Sequence, residues 1–157
     1  MTTHYRITGL SPEPFRPLFG LSDAELAERH IVRRRAGPGQ TLPDRIELRP
    51  ARPGESCLLL NHVHLDVDSP YRASHAIFVR EGAEAAFKAV DQLPEMLRYS
   101  LLSLRAFDAQ GLIVDAGVVE GRMAESLIGH LLGQPRTAFI HAHFAGHGCY
   151  VARIERA

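Results

Sequence analysis

Two His-x-His triplets, His62-Val63-His64 and His141-Ala142-His143, hold the residues whose type and spacing point most directly to chemistry. In a strand, positions i and i+2 project from one face, so each triplet presents two imidazoles side by side with Cβ atoms roughly 6–7 Å apart. A metal ion bridges such a separation, and neutral imidazole suits Zn, Cu, Fe or Ni. If the two strands are neighbours, four imidazoles converge, and a coordination position left open would activate water or take a substrate. No acidic residue stands at a fixed spacing that would complete the set. The metal-ligating candidates are therefore His62, His64, His141 and His143, with Zn or Fe as the ion, and His75 and His147 lie close to them in sequence.

A second candidate is the loop Asp66-Val67-Asp68-Ser69-Pro70-Tyr71-Arg72. Tyr71 offers an aromatic face and Arg72 a guanidinium. Ser74 and His75 follow at once, and Arg80 ends the next strand, a set that suits a small anionic molecule. Loops carry binding residues more often than the elements they connect. Cys149, beside His147-Gly148, is a third candidate, as a thiol nucleophile. A four-residue hairpin loop would turn it away from His141 and His143, and its simplest reading is a small buried hydrophobe. The run Arg33-Arg34-Arg35 reads as a solvated face rather than a phosphate grip.

Several elements must position these residues. The apolar run Leu58-Leu59-Leu60 needs cover on both faces and predicts a strand central to its sheet, continuing into the first His triplet. After the bend at Ser69-Pro70, alternation of His75, Ile77 and Val79 with Ala76, Phe78 and Arg80 predicts a second strand. Ser22-Asp23-Ala24-Glu25 is a capping box that starts a short helix. Pro43 to Arg49 alternates as a half-exposed strand, and Ala83 to Val90 has helix-forming composition, with one further turn at Glu95 to Arg98. Tyr99–Phe107 and Leu112–Val119 flank Asp108-Ala109-Gln110-Gly111 as a hairpin. The stripe Met123, Leu127, Ile128, Leu131 and Leu132 predicts a helix stopped by Gly133 and Pro135, followed by strands from Thr137 to Phe144 and from Cys149 to Glu155.

The 157 residues fit one domain, 1–157, and the 45% hydrophobic and 23% charged composition is that of a globular chain. The formal net charge of zero gives no long-range field toward nucleic acid or anionic lipid, so neither nucleic acid nor membrane is expected as a partner. No apolar run approaches the ~20 residues of a membrane span, and the first residues lack a signal-peptide core, which makes the cytoplasm the expected location. Cys57 and Cys149 are expected as reduced thiols.

Gly54-Glu55 with Leu58-Leu59-Leu60-Asn61, then Ser69-Pro70-Tyr71-Arg72 with Ile77-Phe78-Val79-Arg80-Glu81, and the ending Gly148-Cys149-Tyr150 with Arg153-Ile154-Glu155-Arg156 resemble the bacterial domain-of-unknown-function family 1203. The resemblance covers nearly the whole chain and supplies no activity and no catalytic residue. The expectation is an α+β fold, a mainly antiparallel sheet with a single layer of a few packing helices. The leading functional reading is binding of a small anionic ligand or a protein partner through the 66–75 loop, using Tyr71, Arg72, Ser74, His75 and Arg80. The competing reading is a His-ligated metalloenzyme of hydrolase or oxygenase type. A third is a homodimer formed through an exposed sheet edge.

Overall fold

The computed structural model describes residues 2–157. In chain order its strands are β1 (Tyr5–Thr8), β2 (Val32–Arg35), β3 (Ser56–Leu65), β4 (Ala73–Arg80), β5 (Lys88–Val90), β6 (Leu101–Phe107), β7 (Ile113–Glu120), β8 (Phe139–Phe144) and β9 (Tyr150–Arg156). The α-helices are α1 (Asp23–Glu28), α2 (Glu95–Arg98) and α3 (Ala124–Leu132), with 3-10 turns at Glu13–Leu18 and Gly121–Met123. The strands form a six-stranded sheet in the order β5-β1-β9-β8-β6-β7 and a three-stranded sheet in the order β2-β3-β4. Every ladder between named strands is antiparallel, so the α+β class and the mainly antiparallel pairing hold.

One face of the larger sheet, with Leu102, Leu104, Ile140, Ala142 and Ile154, packs against Ile128, Leu131 and Leu132 of α3. On the smaller sheet, Leu58, Leu60, Ile77 and Val79 pack with Phe15, Leu26, Ile31 and Ile46. The helices divide between the sheets, α1 lying against β2 and α3 against β6, β7 and β8. The capping box forms as its sequence requires: Glu25 N–H donates to Ser22 Oγ at 3.1 Å and Ser22 N–H donates to Glu25 Oε2 at 2.8 Å. The Leu58–Leu60 run lies in β3, the central strand of its sheet.

Two expected elements take another form. The 43–49 segment is a turn, because the buried Asp44 carboxylate captures Ile46 N–H at 3.2 Å, Glu47 N–H at 2.7 Å and Arg80 N–H at 2.7 Å, donors that a strand would give to a ladder. Ile46 and Leu48 are both buried, in different core clusters, with Leu48 held at a φ of 54°. The turn therefore ties the two cores together. The 83–90 segment is an irregular stretch ending in β5 rather than a helix. Its last residues pair with β1 at Arg6↔Val90, Ile7↔Ala89 and Thr8↔Lys88, and Gly9 N–H extends the contact by donating to Phe87 O at 2.9 Å. An eight-residue helix is marginal on its own, and here the open edge of β1 supplies a better set of backbone partners.

Candidate metal centre

His62 stands opposite His75 in the β3–β4 ladder. Val63 then pairs with Ser74 and Leu65 with Ala73, so His64 is the extra residue of a β-bulge. A bulge re-aims its side chain. The His64 ring lies parallel to His75, with centroids 5.0 Å apart, and parallel to Tyr150 at 5.2 Å, while its edges meet His141 at 5.7 Å and His143 at 5.0 Å. A second irregularity in the β8–β9 ladder follows the Ala142↔Ala152 pair and sets His143 opposite Tyr150. Alternation along β8 places Ile140 and Ala142 against α3 and turns His141 and His143 to the opposite face, toward the smaller sheet.

The outcome is a group of buried and half-buried imidazoles between the sheets. His64, His141 and His143 each offer a ring nitrogen, all within 4.8 Å of one another. His141 and His143 are buried, with 2% and 1% of their surface exposed. His143 Nδ1 lies 2.9 Å from Gly148 O, which as an N–H donor it satisfies, leaving Nε2 with the lone pair. His64 Nε2 is 2.9 Å from His75 Nδ1. His64 Nδ1 and His141 Nδ1 are buried with no hydrogen-bond partner among the described residues. Burial, reinforced by the neighbouring imidazoles, pushes the pKa of His64 and of His141 down to about 3, and burial pushes that of His143 down to about 4. All three rings are neutral at pH 7, the protonation state in which imidazole ligates a metal.

His62 occupies the neighbouring position but its ring packs edge-on to Phe15 at 5.9 Å and lies outside the close trio. The loop candidates scatter. Arg72 is ion-paired with Asp66 in solvent, and Tyr71 is 42% exposed with its ring edge on Phe107. Ser74 is exposed, and Arg80 donates from Nε to Glu47 Oε1 at 2.7 Å. The loop itself is pinned, Ser69 Oγ donating to Gly111 O at 2.8 Å and Val67 packing with Leu65 and Phe107. Of that group His75 alone joins the imidazoles. Arg33 is bound by Glu81 and Asp23, so the arginine run begins in an ion-pair network.

A cleft of about 870 Å³ opens beside the cluster, with Leu59, Phe78, Met96, Phe144 and Cys149 in its walls and His75 at its border with the imidazoles. Arg45 closes its floor, 1% exposed, donating to Tyr150 O at 2.8 Å, Pro43 O at 2.6 Å and Cys149 Sγ at 3.0 Å. Cys149 is thus a partly exposed residue of the loop before β9, and both cysteines are free. Three contributors escaped sequence reasoning. Tyr150 and Arg45 have no distinguishing spacing, and Arg105 becomes a neighbour of His141 only through the β6–β8 register.

Fold and site together define an α+β protein of two antiparallel sheets with a histidine-lined junction between them. The chain belongs to the family described as protein of unknown function (DUF1203), whose model matches residues 41–156. That match spans β3, β4, β8 and β9, the strands that carry the histidines. Searches of curated proteins and of solved structures give no match. Among the described residues no helix is long and apolar enough to cross a membrane.

Proposed function

We propose that this protein is a metalloprotein that holds a divalent transition metal, Zn or Fe, through His64, His141 and His143, and uses the remaining coordination position for water or a substrate. The observation that carries this reading is the trio of neutral imidazoles within 4.8 Å, His141 and His143 buried and His64 half-buried, two of them with a buried Nδ1 that has no partner among the described residues. Leaving a buried polar atom unpaired costs roughly 1–3 kcal/mol, and a bound ion removes that cost. In a zinc site with bonds of about 2.0–2.1 Å, tetrahedral ligand atoms stand about 3.3 Å apart, so small rotations of the rings close the gap. His75, through its contact with His64 Nε2, orients that ring as outer partners of metal-bound histidines do. Three neutral ligands leave the full charge on the ion, which favours lowering the pKa of a bound water. The adjoining cleft would admit an organic substrate, making hydrolase or oxygenase chemistry the reaction class.

The anion-binding reading of the 66–75 loop has less behind it, since the guanidinium groups of Arg72 and Arg80 are already matched by Asp66 and Glu47. Elemental mass spectrometry on untagged protein purified without chelators tests the metal reading. Near-stoichiometric Zn or Fe is expected, lost in His64→Ala, His141→Ala and His143→Ala but retained in His62→Ala. Absence of metal even after incubation with either ion would overturn it.

A further inference from the structure

Arg105 stands directly opposite His141 in the β6–β8 ladder, and Ser103 opposite His143. Directly opposed residues project from the same sheet face, so the guanidinium rises beside the imidazoles. Only its Nε is engaged, donating to Ser103 Oγ at 3.2 Å. The terminal nitrogens, Nη1 and Nη2, have no protein partner among the described residues, although the side chain is partly buried. Its neighbour across the same face behaves differently: Arg153, opposite His141 on the β9 side, lies over the Phe139 ring at 4.0 Å and is ion-paired with Glu155. One arginine is used up by the fold and the other presents a free fork.

The charge balance points the same way. Among the described residues the histidines with carboxylate partners are His4 and His130, both remote from this cluster. Among the described residues, His64, His75, His141, His143 and Arg105 have no Asp or Glu within ion-pair distance. A divalent ion on three neutral imidazoles beside a guanidinium would therefore form a partly desolvated cationic site with no internal counter-charge. Planar guanidinium binds carboxylate or phosphate oxygens in bidentate fashion, and a metal ion takes a further oxygen of the same group.

We propose that the centre takes a small oxyanion, one oxygen on the metal and the others on the Arg105 fork, an assignment that rests on the metal reading above. The group recognised is a carboxylate or a phosphate, carried by a substrate whose remainder extends toward the neighbouring cleft. Arg105 is accordingly a substrate-binding residue, and Ser103 positions it.

Cobalt-loaded protein provides the test, because the visible spectrum of Co(II) reports its ligands without any assumed activity. Acetate and inorganic phosphate are titrated separately at constant ionic strength into wild type, Arg105→Gln, Arg105→Lys and Arg153→Gln. Wild type is expected to change spectrum on saturation, and the tighter of the two anions identifies the group recognised. Arg105→Gln should keep the anion-free cobalt spectrum but bind the anion roughly 10-fold more weakly or worse. Arg105→Lys should fall between, and Arg153→Gln should match wild type. Unchanged anion affinity in Arg105→Gln, or no response to either anion in wild type, would overturn the proposal while leaving the metal centre standing. Failure to bind cobalt at all would remove both.

Discussion

Along one face of β3 and β4, Leu58, Leu60, Ile77 and Val79 are buried against Phe15, Leu26 and Ile46, while His62 and His75 continue the same rows, with His64 beyond, and meet His141, His143 and Tyr150. The strands and their pairing direction are shared; the side chains change, and the register breaks at the His64 bulge. The apolar end is self-sufficient, because each contact removes hydrocarbon from water and leaves no polar atom to satisfy. At the imidazole end His62, His64 and His75 are half-buried and His141 and His143 buried, and the Nδ1 atoms of His64 and His141 have no partner among the described residues. Unpartnered polar atoms at one end beside a well-packed apolar core at the other are the kind of departure from core-packing rules on which the proposed metal site rests.

Truncation separates the ends most strongly. Leu58→Ala, at a fully buried position, should cost roughly 2–5 kcal/mol in urea unfolding. In metal-free protein, His141→Leu should cost less than about 1.5 kcal/mol, since it keeps volume and removes an unpaired nitrogen. Equal losses at the two positions would erase the contrast. Zinc should then restore what the imidazole end lacks: at 100 times its dissociation constant, wild type should gain about 2.7 kcal/mol, and His141→Leu should gain almost nothing.

Acid sharpens the comparison further. The unfolded chain titrates histidine near 6.5, while the folded state holds His64 and His141 at about 3 and His143 at about 4. Below 6.5 the unfolded state binds protons that the folded state refuses, so stability rises with pH across this window. The metal-free protein should therefore be at full strength above 6.5 and weaken as the pH falls toward 4. Urea midpoints at about pH 7.5 and about pH 4.5 measure the drop, which His141→Leu should reduce and Leu58→Ala should leave in place. The smallest effect lies far from both ends: Ser22→Ala removes the cap of α1 and should cost about 1 kcal/mol with no change in metal content or acid slope.

Local chemistry was readable in the sequence wherever it was sufficient by itself. Ser22 and Glu25 cap a helix regardless of what surrounds it, the Ile128 and Leu131 stripe needs one face covered, and Gly111 closes the β6–β7 hairpin with a φ of 76°. Three of the four expected metal ligands form the close trio, because a period of two fixes which side His141 and His143 take. What was hidden depends on pairing between distant strands. The bulge that makes His64 a member of the trio and leaves His62 against Phe15 is a property of the β3–β4 register. Arg105 reaches the site through β6–β8 pairing, and β5 replaces an expected helix because β1 has an edge to fill. Asp44 carries no signature of its capture of three backbone donors until those donors are in place.

On the proposed reading, the two sheets meet around a metal held by imidazoles from both. X-ray absorption at the zinc edge on protein loaded with one equivalent of zinc tests it most directly. About three imidazole nitrogens at roughly 2.0–2.1 Å are expected, with an oxygen completing the shell, and loss of imidazole scattering in His64→Ala and His143→Ala alike. A zinc environment of water and carboxylate oxygens, unchanged by either substitution, would contradict it.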